Sequence, residues 1–504
     1  MKYRKTTLEN GLKVVTLSLP AARSVTLGLL VEAGAAVERP DQQGLAHLVE
    51  HMIFQGSSNR DALEIARLMD GAGGRIGGFT SRDYTCYFAQ VLQEFVPYAI
   101  DLLGDVLLNP VFPDEALERE KQAIFCEYEA GRDNPEQLAH ETLRAAMWPD
   151  HPLGRPVLGD PSCLQGMSRE DLIYFMHTHY QPDRMVVAAA GALIHEDFVA
   201  QVRDAFWRLL GTRARTPVRR PVSHAALEIE SADVSQTYFS LGLQAPSFAA
   251  EDRYSAHLLD QVLGAGISSR LFVSLREQHG LVYHVGTTYD AWRDAGLLSV
   301  EGSTAPATLP QTIDLILAEL DGIVRGSRQI TEDELHRAKI RLRSHIQLAG
   351  EDTHALMSRL ATQELYFDRY LSEAAMLEEI AAIQLDELNR WIAKTLAPAF
   401  DSASLAIVGP AEAHCQQLHE SLRSTCSRHR HHTTCKEPND DSQTTNQEEL
   451  DRDPEASRRP GQRDRRQDLA EGREDSEGVA RGRDRQVRQA LTSSRSGAAP
   501  EVAA

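Results

Sequence analysis

The stretch GLAHLVEHMIFQGS, residues 44–57, decides how the rest of the chain is interpreted. It places His47 and His51 four positions apart, with Glu50 directly before the second histidine. Residues three and four apart share one face of an α-helix, so a helix here would direct all three side chains to one side. Two explanations fit the pattern: a catalytic metal site, or a half-buried helix whose histidines satisfy backbone groups.

A zinc site is the chemistry that this pattern favours. Zinc binds imidazole and carboxylate ligands, and a catalytic site has three protein ligands and a water. The order His-x-x-Glu-His is the inverted form of the zinc-protease helix. A third ligand must come from elsewhere, and LEREKQAIFCEYEAGRDNP at 117–135 is a glutamate-rich helical pattern. From periodicity alone Glu120, Glu127 and Glu129 are all candidates, and most glutamates on such a helix are simply solvated.

Composition excludes several classes of function. The 504 residues are 42% hydrophobic, which is enough for several domains with a large core. The net charge of −20 argues against a nucleic-acid partner, which requires a basic face. No apolar run approaches the roughly 20 residues of a membrane-spanning helix, the start has no signal-peptide core, and six cysteines make no disulfide framework. We therefore predict a cytoplasmic protein with no nucleic-acid and no membrane partner.

Changes in composition along the chain divide it into four parts. The basic, proline-bearing stretch GTRARTPVRRPVSHAA at 211–226 has the composition of a linker. After about residue 423 hydrophobic periodicity disappears, and the remaining chain is charged and mixed in sign. We predict an N-terminal domain over 1–212, a linker over 213–226, a C-terminal domain over 227–423 and a disordered charged tail over 424–504.

Each half opens with strand-like segments and continues with helical patterns. LKVVTLSL and SVTLGLLVEAG are strand-like in the first half, and TYFSLGLQAP is strand-like in the second. DALEIARLMDGAG, FVPYAIDLLGDVLLN and LPQTIDLILAELDGIVRG show helical periodicity. We predict an α+β fold of two homologous domains, each with a mainly antiparallel sheet and helices packed on one face.

A short internal alignment suggests that the two halves arose by duplication. AHLVEHMIFQG at 46–56 aligns without a gap with AHLLDQVLGAG at 256–266. His47 then meets His257, Glu50 meets Asp260 and His51 meets Gln261. The second copy has lost one histidine, so we expect the first half alone to hold a metal ion.

The pairing of HLVEH with the later EREKQAIFCE resembles the M16 metallopeptidases, the inverzincin family of pitrilysin, insulin-degrading enzyme and the mitochondrial processing peptidase. The resemblance implies one zinc ion per chain, with His47, His51 and Glu127 as its ligands. It also implies that Glu50 is the general base and that Glu120 is a supporting glutamate behind the ligands.

A second motif implies where the substrate lies. GGRIGGFTSRDYTCYFAQVL, residues 73–92, resembles the segment whose strand edge pairs with the substrate backbone in that family. The substrate-binding residues implied are Gly77, Gly78, Phe79 and Thr80. The glycine pair stands where the family usually has Asn-Ala. Glycine keeps the backbone donors and acceptors but lacks the asparagine side chain, so substrate positioning is the property this departure affects.

A third motif lies in the second half. GAGISSRLFVSLREQHGLVYHVG, residues 264–286, resembles the element whose Arg/Tyr pair reaches the active site from the non-catalytic domain. The resemblance implies catalytic roles for Arg276 and Tyr283. The chain has only two of the four domains of the long family members, so it resembles the short members, which pair two chains around a chamber. A homodimer, or a heterodimer with an M16-like subunit, is implied.

The function predicted from these motifs is a zinc endopeptidase that hydrolyses unfolded peptides or small peptide precursors inside a chamber closed by two domains or chains. Two alternatives stay open at this stage. One is a non-catalytic peptide-binding or assembly subunit of an M16-type complex, although such members typically lose zinc ligands. The other is a protease dedicated to the maturation of one peptide.

Overall fold

The structure, a computed structural model, describes residues 2–211, 220–426 and 432–436, and its elements are numbered here in chain order. The strands are β1 (Lys2–Thr7), β2 (Lys13–Ser18), β3 (Ser24–Val31), β4 (Arg75–Thr80), β5 (Thr85–Leu92), β6 (Met185–Gly191), β7 (Ala226–Glu230), β8 (Thr237–Ala245), β9 (Val282–Ala291), β10 (Gly296–Thr304), β11 (Ser404–Val408) and β12 (His432–Lys436). The α-helices are α1 (Leu45–Ile53), α2 (Ala62–Gly71), α3 (Val96–Leu108), α4 (Asp114–Arg132), α5 (Pro135–Met147), α6 (Pro161–Gly166), α7 (Arg169–His179), α8 (His195–Phe206), α9 (Arg253–Leu263), α10 (Leu309–Val324), α11 (Glu332–Ala349), α12 (Thr353–Phe367), α13 (Glu373–Ala382), α14 (Leu385–Trp391), α15 (Ala397–Phe400) and α16 (Cys415–Thr425).

The strands form two six-stranded sheets that share one plan in five of their six strands; the outer strands differ, because β1 pairs antiparallel with β2 and β12 pairs parallel with β7. The first has the order β1-β2-β6-β3-β5-β4 and the second has the order β12-β7-β11-β8-β10-β9. Each sheet has one parallel inner pair, β2 with β6 in the first and β7 with β11 in the second. The neighbours in β6-β3-β5-β4 and in β11-β8-β10-β9 are all antiparallel. The α+β fold with mainly antiparallel sheets is confirmed, and the common strand order agrees with a duplicated unit.

Each sheet is covered on both faces, which explains why its inner strands carry apolar side chains on both faces. Alternate side chains of a strand point to opposite faces, so Leu27 and Leu29 of β3 enter the core beneath the helices of their own half. Leu30 points the other way and packs against α12, which comes from the second half. The second sheet repeats this arrangement, because Leu143 and Met147 of α5, from the first half, cover it from the outside.

The sequence predicts helices on one face of each sheet. The structure differs in that a single helix from the opposite half covers the other face as well. A glycine stands under each exchanged helix. A Cβ atom on Gly28 of β3 would lie 2.5 Å from the sulfur of Met357, and one on Gly242 of β8 would lie 2.9 Å from a methyl carbon of Leu143. The missing side chain lets each helix pack close to its sheet.

The elements predicted from periodicity are present as β2, β3, β8, α2, α3, α4 and α10. The predicted domain boundaries stay predictions. Residues 213–219 of the predicted linker lie outside the described residues, as do residue 212 and most of the predicted tail. Within that tail the structure describes residues 424–426, where α16 ends, and β12, which pairs parallel with β7. Among the described residues no helix has both the length and the apolarity needed to cross a membrane.

Candidate metal centre

The first helix, α1, presents two different faces, as its sequence predicts. His47, Glu50 and His51 lie on the face toward β4 and α4, and both elements contact α1. The opposite face is apolar and fully buried in the core of the first half, through Leu45, Leu48, Val49 and Met52. Burial of this apolar stripe fixes the rotation of the helix about its axis, and therefore fixes the direction of the three polar side chains.

A buried carboxylate caps the start of α1 and was not anticipated from the sequence. The N-cap residue Gly44 has φ +94° and has no side chain with which to cap the helix. Glu38 fills this role, because its carboxylate accepts hydrogen bonds from the backbone N–H groups of Gly44 (2.9 Å) and Ala46 (2.7 Å). Burial raises the pKa of Glu38 to about 8, and the two backbone hydrogen bonds oppose this rise. Nothing in the spacing signals this contact, because Glu38 lies outside the helix.

The donor atoms of three residues converge between α1 and α4. The Nε2 atom of His47 lies 3.8 Å from Oε2 of Glu127, and the Nε2 atom of His51 lies 3.7 Å from the same oxygen. The two imidazole rings stand 4.6 Å apart at 68°. One ligand atom from each of the three residues lies within 4.8 Å of the others, which leaves room for one metal ion.

These donors fit zinc. Ligand atoms about 2 Å from a tetrahedral zinc ion stand about 3.3 Å from one another, and the separations from Glu127 are a few tenths of an ångström wider. Burial lowers the pKa of His47 to about 3, with His51 contributing, so His47 is neutral at physiological pH, as a metal ligand must be. The Nδ1 atom of His47 is buried and has no hydrogen-bond partner among the described residues.

The structure separates the three candidate glutamates of α4. Glu127 joins the two histidines, and burial raises its pKa. Glu120 accepts a hydrogen bond from Nδ1 of His51 (3.0 Å) and another from the amide of Gln55 (2.9 Å), so it orients a histidine. Glu129 is exposed and is not part of the cluster. Gln55 was missed, although it follows His51 by one helical turn and that spacing could have suggested it.

His51 differs from His47 because carboxylates surround it. Burial alone would lower the pKa of His51, but the hydrogen bond to Glu120 and the negative charges of Glu50 and Glu127 raise it overall. A cation placed among these carboxylates would be stabilised by the same charges. The centre is therefore electronegative, with His47 buried, His51 half-buried and Glu127 exposed at its edge.

Glu50 lies beside the cluster in a position suited to proton transfer. Its Oε2 atom accepts a hydrogen bond from the hydroxyl of Thr80 at 2.8 Å. Burial raises the pKa of Glu50 to about 7, which is close to the value at which a general base works best at neutral pH. Thr80 was predicted as a substrate-binding residue, and the structure shows that it also holds Glu50.

The predicted substrate segment is an edge strand. β4 pairs with β5 on one side, and on its other side no described strand pairs with it. Gly78 lies directly over Glu50, since a Cβ atom there would stand 2.9 Å from Cγ of Glu50. Gly77 is less crowded, because its Cβ atom would meet only the ring of Phe88, at 3.6 Å. An extended peptide could add to this edge as a further strand.

Arg276 and Tyr283 form a pair within the second half. The guanidinium of Arg276 lies 4.9 Å from the ring centres of both Phe272 and Tyr283, and it donates a hydrogen bond to the Tyr283 carbonyl oxygen at 2.9 Å. The Tyr283 side chain is 78% exposed. Among the described residues no hydrogen bond or ion pair joins this pair to the cluster at His47.

The matching helix of the second half, α9, carries a different set of groups. Asp260 accepts hydrogen bonds from the hydroxyl of Thr287 (2.6 Å) and from the amide of Gln261 (3.1 Å). His257 is half-buried, and the loss of solvent around its ring lowers its pKa to about 4. Within the described residues, no group of three metal-binding side chains forms around α9.

Comparison with known proteins identifies the family of both halves. The family model described as Insulinase (Peptidase family M16) matches residues 13–161, and the model described as Peptidase M16 inactive domain matches residues 166–342. A protein named as an uncharacterized zinc protease of Mycobacterium tuberculosis is 36% identical over 421 residues, which is 82% of this chain and 95% of that protein. A second protein named as an uncharacterized zinc protease, YmxG of Bacillus subtilis, is 32% identical over 81% of this chain and 98% of its own length.

Two solved structures share the fold. A structure titled as the peptidase M16 inactive domain from Pseudomonas fluorescens has a TM-score of 0.74 at 22% identity and covers 82% of this chain and 99% of that one. A protease from Helicobacter pylori has a TM-score of 0.73 at 20% identity, with coverages of 81% and 99%. At these identities the likeness concerns the fold alone, and it extends through both halves.

Proposed function

The chain belongs to peptidase family M16, the insulinase family, and we propose that it is an active zinc-dependent endopeptidase that cleaves unfolded peptides. The observation that carries this proposal is the convergence of His47, His51 and Glu127 beside the half-buried carboxylate of Glu50. Non-catalytic members of the family typically lose zinc ligands, whereas this chain has all three ligands and the adjacent glutamate. The zinc proteases named among its relatives support the choice of metal.

His47, His51 and Glu127 would hold one zinc ion per chain, and Glu120 would keep the ring of His51 in the orientation that binding requires. When bound, zinc supplies Lewis acidity, which polarises a peptide carbonyl and makes a neighbouring water acidic. Glu50 takes the proton of the attacking water and later delivers it to the leaving amine. Thr80 holds Glu50 by its hydroxyl during this transfer.

The peptide would bind as an added strand on the free edge of β4, along Gly77, Gly78, Phe79 and Thr80. Backbone hydrogen bonding there is independent of the peptide sequence, so it selects for extended, unfolded substrates. The absence of side chains at the two glycines leaves the strand edge open next to the general base.

The exposed Tyr283, held by Arg276, is suited to act on a site other than one in its own half. We propose that two chains assemble as a homodimer, or as a heterodimer with an M16-like subunit, so that this pair faces a metal centre and stabilises the developing oxyanion. Loss of one such donor typically reduces turnover 10²–10³-fold. The enclosed chamber would admit peptides and exclude folded proteins, and we place the protein in the cytoplasm without a membrane or nucleic-acid partner.

The experiment is hydrolysis of a mixed peptide library by the purified full chain, with and without a zinc chelator, together with zinc analysis. The proposal expects cleavage that the chelator removes and added zinc restores. Glu50→Gln should retain zinc and lose cleavage. A chain that binds peptides but leaves them intact in the presence of zinc would instead be the non-catalytic binding or assembly subunit. Cleavage of one peptide precursor alone would identify a maturation protease.

A further inference from the structure

A cluster of buried charges joins the two halves of the molecule outside the metal centre. His140 lies on α5, the helix of the first half that covers the second sheet. Its Nε2 atom is 3.3 Å from a carboxylate oxygen of Asp290 on β9, and its Nδ1 atom contacts the carboxylate of Glu301 on β10. Each ring nitrogen therefore faces a carboxylate oxygen, and both nitrogens can donate only in the imidazolium form.

The charges around His140 balance only if His140 is protonated. Arg144 on α5 lies 3.7 Å from Asp290 and 2.7 Å from Glu141, and Arg82, in the loop between β4 and β5, lies 3.0 Å from Glu141. With His140 charged, the cluster holds three cations (Arg82, His140, Arg144) and three anions (Glu141, Asp290, Glu301). A neutral His140 leaves one uncompensated negative charge among side chains that are mostly buried.

Other elements packed against α5 bring few further charges to this point. Strand β11 contains no ionisable side chain. The remaining titratable groups on these elements are Tyr128, Glu129 and Arg132 near the end of α4, His151 before residues 152–154, Glu228 and Glu230 of β7, and Tyr238 of β8. Arg132 and Glu230 pair with each other at 3.1 Å, so they add no net charge.

We propose that a proton on His140 locks the exchanged helix α5 onto the second sheet, and that loss of this proton weakens the joint between the two halves. Leaving a buried charge without its partner is strongly unfavourable, whereas a complete set of pairs is tolerated. The lock depends on the geometry of α5, β9 and β10 and goes beyond the proposed peptidase activity.

The direction of the pH dependence follows from the contacts. Burial and the charge of Arg144 lower the pKa of His140, but the hydrogen bonds to Asp290 and Glu301 raise it above its usual value overall. A histidine whose pKa is higher in the folded than in the unfolded protein stabilises the fold fully below the unfolded pKa of about 6.5. That stabilisation is lost as the pH rises through the folded pKa.

The lock also bears on the metal centre, and this part rests on the proposed function. Only Asp133 and Asn134 separate α5 from α4, the helix that carries Glu127. Holding α5 on the second sheet therefore fixes the end of α4 nearest to this ligand. A looser α5 should lower zinc affinity although no zinc ligand has changed.

The test is urea unfolding of the full chain, without added metal, across a pH series from 5.5 to 9. The wild-type midpoint should fall as the pH rises above neutrality. His140→Gln should lower the midpoint by on the order of 1 M at pH 6 and weaken its pH dependence, while the contributions of Glu50 and Asp260 remain. The double variant His140→Gln/Glu301→Gln restores the charge balance and should recover most of the midpoint. As a matched control, His336→Gln, at an exposed position on α11, should behave as wild type.

Equal midpoints for wild type and His140→Gln at every pH, or a double variant no more stable than the single one, would overturn the lock. If His140→Gln does not fold, Glu301→Gln alone decides, because it should shift the pH at which stability falls to lower values. An unchanged profile in Glu301→Gln counts against the proposal. Zinc titration of the same variants separates the two ideas: wild-type protein that binds no zinc contradicts the proposed function, while the urea profiles still decide the lock.

Discussion

The helices α1 and α9 occupy equivalent places in two sheets of the same strand order, but they carry different donor atoms. On α1, His47 and His51 both direct Nε2 toward Glu127 from the neighbouring helix α4. On α9, the position of the second histidine is Gln261, whose amide hydrogen-bonds to Asp260. The positive charge of Arg341, on α11, lies near Asp260, and a cation there opposes the binding of a metal ion.

The helices α1 and α9 also share one contact, a hydrogen bond between a threonine and a carboxyl group. Each keeps a carboxyl that accepts a hydrogen bond from a threonine on the edge strand, Glu50 from Thr80 and Asp260 from Thr287. This contact is therefore part of the architecture and persists without a metal. The ligand set is what distinguishes the halves, so the comparison teaches that the scaffold alone does not make the site catalytic.

The largest effect is expected from the two carboxyls of this comparison. Glu50→Gln keeps the size of the side chain but cannot accept a proton, so peptide turnover should fall by about 10²–10⁴-fold with zinc retained. The matched change Asp260→Asn in the second half should leave the turnover of folded enzyme unchanged. Steady-state kinetics with metal analysis measures both, and equal losses in the two variants would break the distinction between the halves.

The histidines give the next largest effect. His51→Ala removes a ligand, so zinc affinity should fall by more than the roughly 10–100-fold typical of an outer partner. His257→Ala alters the equivalent helix and should leave zinc stoichiometry unchanged. Competition with a chromogenic chelator measures both affinities. Full zinc occupancy in His51→Ala would mean that this histidine is not a ligand.

Glu120→Gln tests the group behind the ligand. The amide can no longer accept from His51 with a full negative charge, and we expect about 10–100-fold weaker zinc binding. Glu115→Gln, at an exposed position in the first turn of the same helix, is the control and should have no effect. Equal affinities in the two variants would reduce Glu120 to a packing role.

Protonation provides a way to sharpen the comparison. Burial raises the pKa of both Glu50 and Asp260 to about 7, so in metal-free protein both carboxyls should be protonated at pH 6 and ionised by pH 8. Zinc bound in the first half should lower the pKa of Glu50 and leave that of Asp260 in place, because a nearby cation favours the ionised form. Infrared difference spectra of the protonated carboxyl band, with Glu50→Gln and Asp260→Asn as assignments, would show this. A shift of both bands on zinc addition would contradict it.

The smallest effect is expected at the substrate edge. In Gly78→Ala the new methyl would press on Cγ of Glu50 at 2.9 Å, and turnover should fall by about tenfold, equivalent to about 1.4 kcal/mol. Gly77→Ala meets only the Phe88 ring at 3.6 Å and should be tolerated. Peptide kinetics distinguishes a change in kcat from one in KM. A larger loss of turnover in Gly77→Ala than in Gly78→Ala would mean that Glu50 is not the general base.

Helical periodicity was sufficient to place His47, Glu50 and His51 on one face, because that property is local to nine residues. It could not choose among the glutamates of α4, since the answer depends on how two helices pack. The resemblance to the M16 family supplied Glu127, and the structure brings that residue to the histidines. The sequence does not indicate Glu38, because a carboxylate six residues before the N-cap residue can cap the helix only if the loop between them folds back onto the helix start.

The exchange of α5 and α12 was also beyond sequence reasoning. The apolar stripe of an amphipathic helix predicts burial but does not say against which sheet. The exchange depends on two glycines within strands, Gly28 and Gly242. In sequence, a glycine inside a strand indicates only that the strand is less stable. His140 is likewise unremarkable in sequence, and its partners Asp290 and Glu301 belong to the other half.

The most direct measurement is anomalous X-ray scattering at the zinc edge from crystals of the full chain. We predict one anomalous peak per chain, within bonding distance of Nε2 of His47, Nε2 of His51 and a carboxylate oxygen of Glu127, and none near His257. A zinc peak within bonding distance of other residues would contradict the account. So would crystals grown with zinc that show no peak between α1 and α4.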